Sequence, residues 1–248
     1  MQVIAVANQK GGTGKSTTAF SLAAGLKMKN FNVLCVDLDP QGNLSHTLGV
    51  DSVEVDAMDV LSGNVSIQDA VIQAAQGHIV AGTPSLTGAD AVIRGPGKEY
   101  RLKSALSALT GYDYVVMDTP PALGILLVNA LTSCTGCIIT AQADLYSLQG
   151  ILNLNSTIRT VKKHCNQALT ILGILLVRYN RRTAVSRDIA EQMEEVATTL
   201  GTKVFTTKIR EAVAVKESQI MRKNIFEYAK RSKVATDYAD FIDEVLKG

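Results

Sequence analysis

Tryptophan is absent from this 248-residue chain, and aromatic residues make up only 5% of it. The core must therefore be built mainly from aliphatic side chains. A hydrophobic fraction of 46% with 19% charged residues is typical of a globular protein with a sizeable core. The length permits one large α/β domain or two small ones.

Cysteines are few, and no apolar run is long. Cys134 and Cys137 form a C-x-x-C pair, but no second pair follows at a zinc-like spacing, so we expect buried, reduced thiols. The N-terminus has no basic leader with a cleavage site, and no apolar run reaches the roughly 18 residues that span a bilayer. We therefore expect a cytoplasmic protein with no membrane partner.

The chain also has little net charge, at +2, but its charge is uneven. Residues 203–233 hold nine basic and three acidic side chains, which gives this segment a net charge of +6. Such a block indicates a surface for a polyanion, and a solvated face is the alternative interpretation.

Short Val/Ile/Leu-rich runs alternate with helical patterns along the whole chain. The strand predictions are 2–7, 32–37, 78–81, 113–117, 137–141, 169–177 and 203–207, and the helix predictions are 16–29, 99–109, 121–131, 147–163, 186–200 and 233–247. This alternation predicts an α/β fold with a mostly parallel, twisted sheet and helices on both faces. No composition shift marks a boundary, so we expect one domain over residues 1–248.

A glycine-rich loop lies between the first strand and the first helix. Its glycines let backbone N–H groups turn around a phosphate, and the helix N-terminus adds its positive end. Lys15 is placed to reach the β- and γ-phosphates of ATP, and the Ser16 hydroxyl to bind Mg²⁺. The predicted nucleotide-binding residues of the loop are Gly11, Gly12, Thr13, Gly14, Lys15, Ser16 and Thr17.

Two aspartates follow predicted strands that end at the same edge of the sheet. Asp118 closes the run Tyr114–Met117, and a carboxylate at that place is suited to orient Mg²⁺ directly or through water. Asp39 precedes Pro40 after the second strand, so its carboxylate is expected to face the nucleotide site. Asp37 is predicted to support the nucleotide site without contacting the nucleotide.

The string Lys-Gly-Gly-Thr-Gly-Lys-Ser-Thr at 10–17 resembles the deviant Walker A motif of the ParA/MinD ATPase family. The segments at 37–43 and 120–131 resemble its ParA/Soj partition group. The resemblance implies a single-domain P-loop ATPase that hydrolyses ATP with Mg²⁺ and forms a homodimer around ATP. It also implies that Lys10 reaches the partner's phosphates and that Asp39 assists hydrolysis.

In that group the ATP dimer binds non-specific double-stranded DNA and drives plasmid or chromosome segregation, and a ParB-type centromere-binding protein stimulates hydrolysis. The resemblance places base contacts near Asn180 and Arg210. The family's second arginine after the last strand is missing here, so Lys216, Arg222 and Lys223 are the candidate DNA contacts. A nucleoid-associated cytoplasmic protein is therefore expected.

Three alternatives remain. A MinD-like ATPase would position a complex on a membrane or a protein scaffold, but the last predicted helix has an acidic outer face that anionic lipid repels. An iron–sulfur carrier like the nitrogenase iron protein lacks its flanking signatures here. A protein that binds ATP only to dimerise would not need both Asp39 and Asp118.

Overall fold

The computed structural model describes residues 1–247, and none of its helices there combines the length and apolarity needed to cross a membrane. The strands are β1 (Gln2–Ala7), β2 (Val33–Asp37), β3 (Ile72–Ala74), β4 (Gly77–Val80), β5 (Tyr114–Asp118), β6 (Gly136–Ala141) and β7 (Thr170–Leu176). The helices are α1 (Lys15–Met28), α2 (Asn43–Leu48), α3 (Ala57–Ser62), α4 (Ala89–Val92), α5 (Arg101–Ser107), α6 (Ile125–Ser133), α7 (Leu145–His164), α8 (Ala184–Thr199), α9 (Val213–Ile220), α10 (Ile225–Tyr228) and α11 (Lys233–Lys247).

The seven strands form one sheet in the order β3-β4-β2-β5-β1-β6-β7. All neighbours pair in parallel except β3, which forms an antiparallel hairpin with β4. β1 is central, with β5 on one side and β6 on the other. The predicted mostly parallel sheet is confirmed.

The sheet separates two aliphatic cores. Along β1, Val3 and Ala5 point into the core beneath α3 and α5–α8, whereas Ile4 and Val6 point into the core beneath α1, α2, α10 and α11. Because both faces are covered, the strands have continuous apolar runs. The prediction of helices on both faces is confirmed.

Several short segments differ from the sequence prediction, which missed the helices α2, α3, α4, α9 and α10 as well as one strand and included one strand that does not form. Residues 203–207 do not form a strand, since only an isolated bridge joins Val204 to Ile174. The N–H groups of Thr206 and Thr207 donate instead to the Glu244 carboxylate of α11, at 2.9 and 3.1 Å. The hairpin strand β3 was not predicted, because three residues are too few to show an alternating pattern.

The packing of α11 gives the first testable prediction. Phe241 is fully buried and its ring meets that of Phe205 edge-to-face, with centroids 5.1 Å apart. We expect Phe241→Ala to lower the free energy of unfolding by about 3–5 kcal/mol, because it leaves a cavity in the core. Met28→Ala, at the exposed end of α1, is the control and should change it by less than about 0.5 kcal/mol. Urea unfolding measures both, and equal losses would contradict the packing described.

Candidate nucleotide-binding site

Three neighbouring strands end together at the carboxyl edge of the sheet. Asp118 of β5 lies in register with Asp37 of β2 on one side and with Val6 of β1 on the other. The glycine-rich loop follows β1 directly and leads into α1. The topology therefore brings the predicted phosphate loop and the strand-end aspartates to one place, where parallel α/β sheets bind ligands.

The loop has the backbone conformation that its glycines permit. Gly12 and Gly14 have φ of +75° and +74°, in the left-handed region that favours glycine. A Cβ added at Gly11 or Gly12 would meet nothing within 4 Å, so the loop borders open space. The open curve ends at the N-terminus of α1, and this arrangement fits a phosphate group.

Lys15 lies inside this curve among acidic groups. Its ammonium donates to the backbone oxygen of Lys10 at 3.3 Å. Burial lowers the pKa of Lys15, while the nearby carboxylates of Asp118 and Asp39 oppose that shift. The three side chains thus form one compact set of charges beside the loop.

Asp118 is fully buried, and neither carboxylate oxygen has a hydrogen-bond partner within residues 1–247. Burial and the neighbouring Asp37 charge hold the pKa of Asp118 well above its usual range. The Ser16 hydroxyl opposes this shift, although it does not meet hydrogen-bond geometry. A buried carboxylate without a partner is costly unless a cation satisfies it, and Ser16 and Asp118 are oxygen donors of the kind that Mg²⁺ takes.

Asp37 and Asp39 differ in their surroundings. Asp37 accepts hydrogen bonds from the backbone N–H and the hydroxyl of Ser45, at 2.9 and 2.7 Å, and from the N–H of Asp39 at 3.1 Å. Asp39 lines the cleft and accepts from the N–H of Gln41 through Oδ1 at 2.9 Å. Asp37 therefore braces the loop, and Asp39 presents its second oxygen to the cleft.

Lys10 points away from its own phosphate loop. Its ammonium forms an ion pair with both oxygens of Asp144, at 2.7 and 2.9 Å. Asp144 is also the N-cap of α7, accepting from the N–H of Ser147 at 2.9 Å. Although partial burial opposes it, the Lys10 ammonium helps to hold the pKa of Asp144 below its usual range. Lys10 does not line the cleft.

The cleft has a volume of about 610 Å³ and extends from the phosphate loop towards α9. Arg210 lines it, as the sequence predicts for a base contact, but its guanidinium is bound by Asp237 through two 2.6 Å hydrogen bonds. Asn180 does not line the cleft, because its side chain accepts from the N–H of Arg182 at 3.0 Å in a tight turn. Its role as a base contact stays a prediction without geometric support.

Sequence reasoning did not find Gln219, which lines the cleft from α9. Its amide nitrogen donates to the Thr17 hydroxyl at 2.7 Å, across 202 residues of sequence. Only Ser218 of α9 is buried, so the helix has no apolar stripe that a sequence pattern would show.

The three predicted DNA contacts lie in different settings. Lys216 lines the nucleotide cleft, and Lys223 is exposed. Arg222 is paired with Asp51 at 2.6 and 2.8 Å, so much of its charge is offset within the chain. These residues do not form one free basic surface, and their contact with DNA stays a prediction.

The buried carboxylates give a prediction about pH. Burial raises the pKa of Asp37 to about 6, above the value of about 3.9 expected in the unfolded chain. The folded protein thus holds this proton more tightly. Its stabilising contribution is complete below about pH 4 and is lost as the pH rises through about 6. We expect the unfolding free energy of the nucleotide-free wild type, relative to Asp37→Asn, to fall between pH 4 and pH 7.

Urea unfolding of both proteins at several pH values measures this difference. Because the asparagine does not titrate, its lost hydrogen bonds shift the difference by a constant and do not affect the slope. Two curves that run parallel over this pH range would contradict a raised pKa at Asp37.

Comparison with known proteins agrees with this geometry. Residues 1–171 match the protein family described as AAA domain. The chain is 36% identical to the sporulation initiation inhibitor protein Soj of Bacillus subtilis, covering 98% of each chain. It is 37% identical to the chromosome-partitioning ATPase Soj of Thermus thermophilus, covering 98% of this chain and 94% of that one.

Solved structures share the fold. A cobyrinic acid a,c-diamide synthase from Mycobacterium smegmatis, solved with ADP and magnesium, is 34% identical with a TM-score of 0.87 and matches 100% of this chain and 94% of its own. The apo McdA of Cyanothece has a TM-score of 0.90 at 23% identity, covers 99% of each chain, and supports the fold alone. On the matched sequences, the chain belongs to the family of the Soj and ParA chromosome-partitioning ATPases.

Proposed function

We propose that this chain is an ATP-operated dimer that binds double-stranded DNA without sequence preference and drives DNA segregation. The observation that carries the proposal is the placement of the two loop lysines. Lys15 lies inside its own phosphate loop, whereas Lys10 is directed out of the cleft. A lysine so placed can serve a nucleotide held by a second copy once it leaves Asp144.

ATP with Mg²⁺ is the nucleotide that suits the cleft. Lys15 and the backbone of the loop would bind the phosphates, and Ser16 and Asp118 would hold the metal. Bound Mg²⁺ offsets phosphate charge and would satisfy the buried Asp118 oxygens. The ATPase relatives and the neighbour solved with ADP and magnesium support this assignment.

Hydrolysis needs a group that holds water in line with the γ-phosphate. Asp39 lines the cleft, and its Oδ1 is already bound by Gln41, which leaves Oδ2 free within the described residues. Asp39 therefore positions the water. A ParB-type partner that places a basic group near the closed interface would speed this step, as an arginine finger does.

The closed dimer requires Lys10 to exchange partners. In the structure Asp144 neutralises Lys10, and the next two residues, Leu145 and Tyr146, are 67% and 77% exposed. Two stacked phosphate loops would repel each other through their nucleotides, and a lysine from each subunit offsets that repulsion. Closure also buries exposed apolar surface beside the loop, which favours association.

The DNA surface is best supported at the start of α8. Residues 145–187 contain no acidic side chain and seven basic ones. Within this segment Arg181, Arg182 and Arg187 are exposed, and no ion pair holds them among residues 1–247. They follow β7 at the same edge of the sheet as the cleft. Dimer closure would double such a patch and raise DNA affinity through multivalency.

A gel shift on arbitrary duplex DNA at low salt tests the proposal. We expect binding with ATP, little binding with ADP, and persistent binding by Asp39→Ala in ATP, because that variant closes but hydrolyses slowly. Binding that is equal with ATP and ADP, or absent in every state, would contradict an ATP-operated DNA switch.

Two matched triple variants locate the surface. The Arg181→Ala, Arg182→Ala, Arg187→Ala protein should bind DNA more weakly and with a flatter salt dependence, by about 0.9 in the log–log slope for each phosphate contact removed. The control replaces Arg159, Lys162 and Lys163, which lie in the last turns of α7, about 22 to 29 Å from Asp144 along the helix. It removes the same charge and should leave the slope unchanged.

A further inference from the structure

One part of the cleft lining, which begins at Val177 against Gly14 of the phosphate loop, is apolar. It includes Val177 after β7, Ile209 and Ala212 in the segment between α8 and α9, and Val215 of α9. Val177 and Ile209 are buried. Apolar walls of this kind suit the flat faces of a nucleobase, while the choice between bases depends on polar groups at the base edge.

The charged side chains around this apolar lining are mostly engaged with partners of their own, and the acceptor among them, Glu211, is held by Arg178. Arg210 is bound by Asp237, and Arg178 donates to Glu211 at 2.8 and 3.2 Å. Guanidinium and ammonium groups are donors only, and this also holds for Lys216. A base edge that presents one donor and one acceptor needs a different partner.

The side-chain amide of Gln219 has both a hydrogen-bond donor and a hydrogen-bond acceptor. One N–H of its amide donates to the Thr17 hydroxyl at 2.7 Å, which ties α9 to the first turn of α1. The amide oxygen has no hydrogen bond to another residue within 1–247, and a second N–H remains. The side chain therefore offers a free acceptor beside a free donor, inside the cleft.

We propose that Gln219 selects adenine over guanine in the nucleotide that this cleft binds. This inference rests on the proposed ATP function and names the residue that gives it base specificity. The amide oxygen accepts from the N6 amino group of adenine, and the amide N–H donates to an adjacent ring nitrogen, the pairing typical of glutamine with adenine. Guanine has a carbonyl oxygen at that position and would face the amide oxygen.

The test compares the affinities of the non-hydrolysable analogues AMP-PNP and GMP-PNP, by calorimetric titration with Mg²⁺. We expect the wild type to prefer the adenine analogue by roughly 10- to 100-fold, the range for one bidentate base contact. Gln219→Leu keeps the side-chain volume but removes both hydrogen-bonding groups, so its preference should fall to within about threefold. Equal wild-type affinities, or an unchanged ratio in Gln219→Leu, would overturn the proposal.

Gln41→Leu is the matched control, because Gln41 lines the same cleft beside Asp39. It should change both affinities by the same factor. If Gln219→Leu binds neither analogue, Gln219→Glu decides, since it keeps an acceptor for the N6 amino group and the contact with Thr17. A retained adenine preference supports base selection, whereas a ratio near one shows that Gln219 only supports the loop and overturns the proposal.

The gel shift separates this inference from the DNA proposal. If the wild type never shifts DNA but the ratio of AMP-PNP to GMP-PNP affinity falls in Gln219→Leu, the base-selecting role stands and the DNA-binding proposal is wrong. A wild type that shifts DNA with ATP, combined with an unchanged ratio, would do the reverse. A wild type that binds neither analogue would overturn both.

Discussion

The burial of two carboxylates at neighbouring strand ends is the constraint on which the site depends. Parallel pairing of β2 and β5 puts Asp37 beside Asp118, and burial makes the charged form of each unfavourable. Ser45 stabilises Asp37 with two hydrogen bonds, whereas Asp118 has only the nearby Lys15 charge and the Ser16 hydroxyl in its favour. The aliphatic cores on both faces of the sheet hold this arrangement in place, and Mg²⁺ with a nucleotide relieves it. We therefore propose that the fold keeps this edge of the sheet poised for a cation, because the buried Asp118 oxygens have no hydrogen-bond partner within residues 1–247.

Lys10 of the same loop makes its side-chain contacts outside the cleft. Because Asp144 is both the partner of Lys10 and the N-cap of α7, the ion pair links the loop to the helix that begins beside it. The two side chains of this half-buried ion pair are still 30% and 32% exposed, so the pair contributes modestly to stability, and we propose that Lys10 exchanges it for a partner's phosphates. In the proposed dimer one loop would serve two nucleotides, with Lys15 binding in its own subunit and Lys10 acting across the interface.

Local sequence patterns were sufficient to predict those parts of the site that lie within one strand, loop or helix. The glycines and Lys15 could be predicted because a strand, a tight turn and a helix follow each other within 28 residues. The strand-end positions of Asp37 and Asp118 could be predicted because parallel strands end at one edge.

Contacts between side chains that are distant in sequence could not be predicted from local patterns. Arg222 meets Asp51 across 171 residues, and Gln219 meets Thr17 across 202. The basic block at 203–233 suggested a free polyanion surface, yet Asp51 and Asp237 offset two of its three arginines. Three exposed arginines without an ion pair within residues 1–247, Arg181, Arg182 and Arg187, lie together earlier, around the start of α8.

The most direct test of the account is complementation between two inactive variants, because its central claim is that Lys10 acts in the partner's site. Lys10→Ala keeps Asp39, and Asp39→Ala keeps Lys10, so a mixed dimer has one site with Asp39 in its own subunit and Lys10 from the other. If Lys10 acts across the interface, mixing the two should restore ATP hydrolysis to at most about a quarter of the wild-type rate, since random pairing makes half of the dimers mixed and each holds one complete site. If Lys10 acts within its own subunit, no dimer in the mixture has a complete site, and hydrolysis that stays at the level of the separate variants would contradict the account.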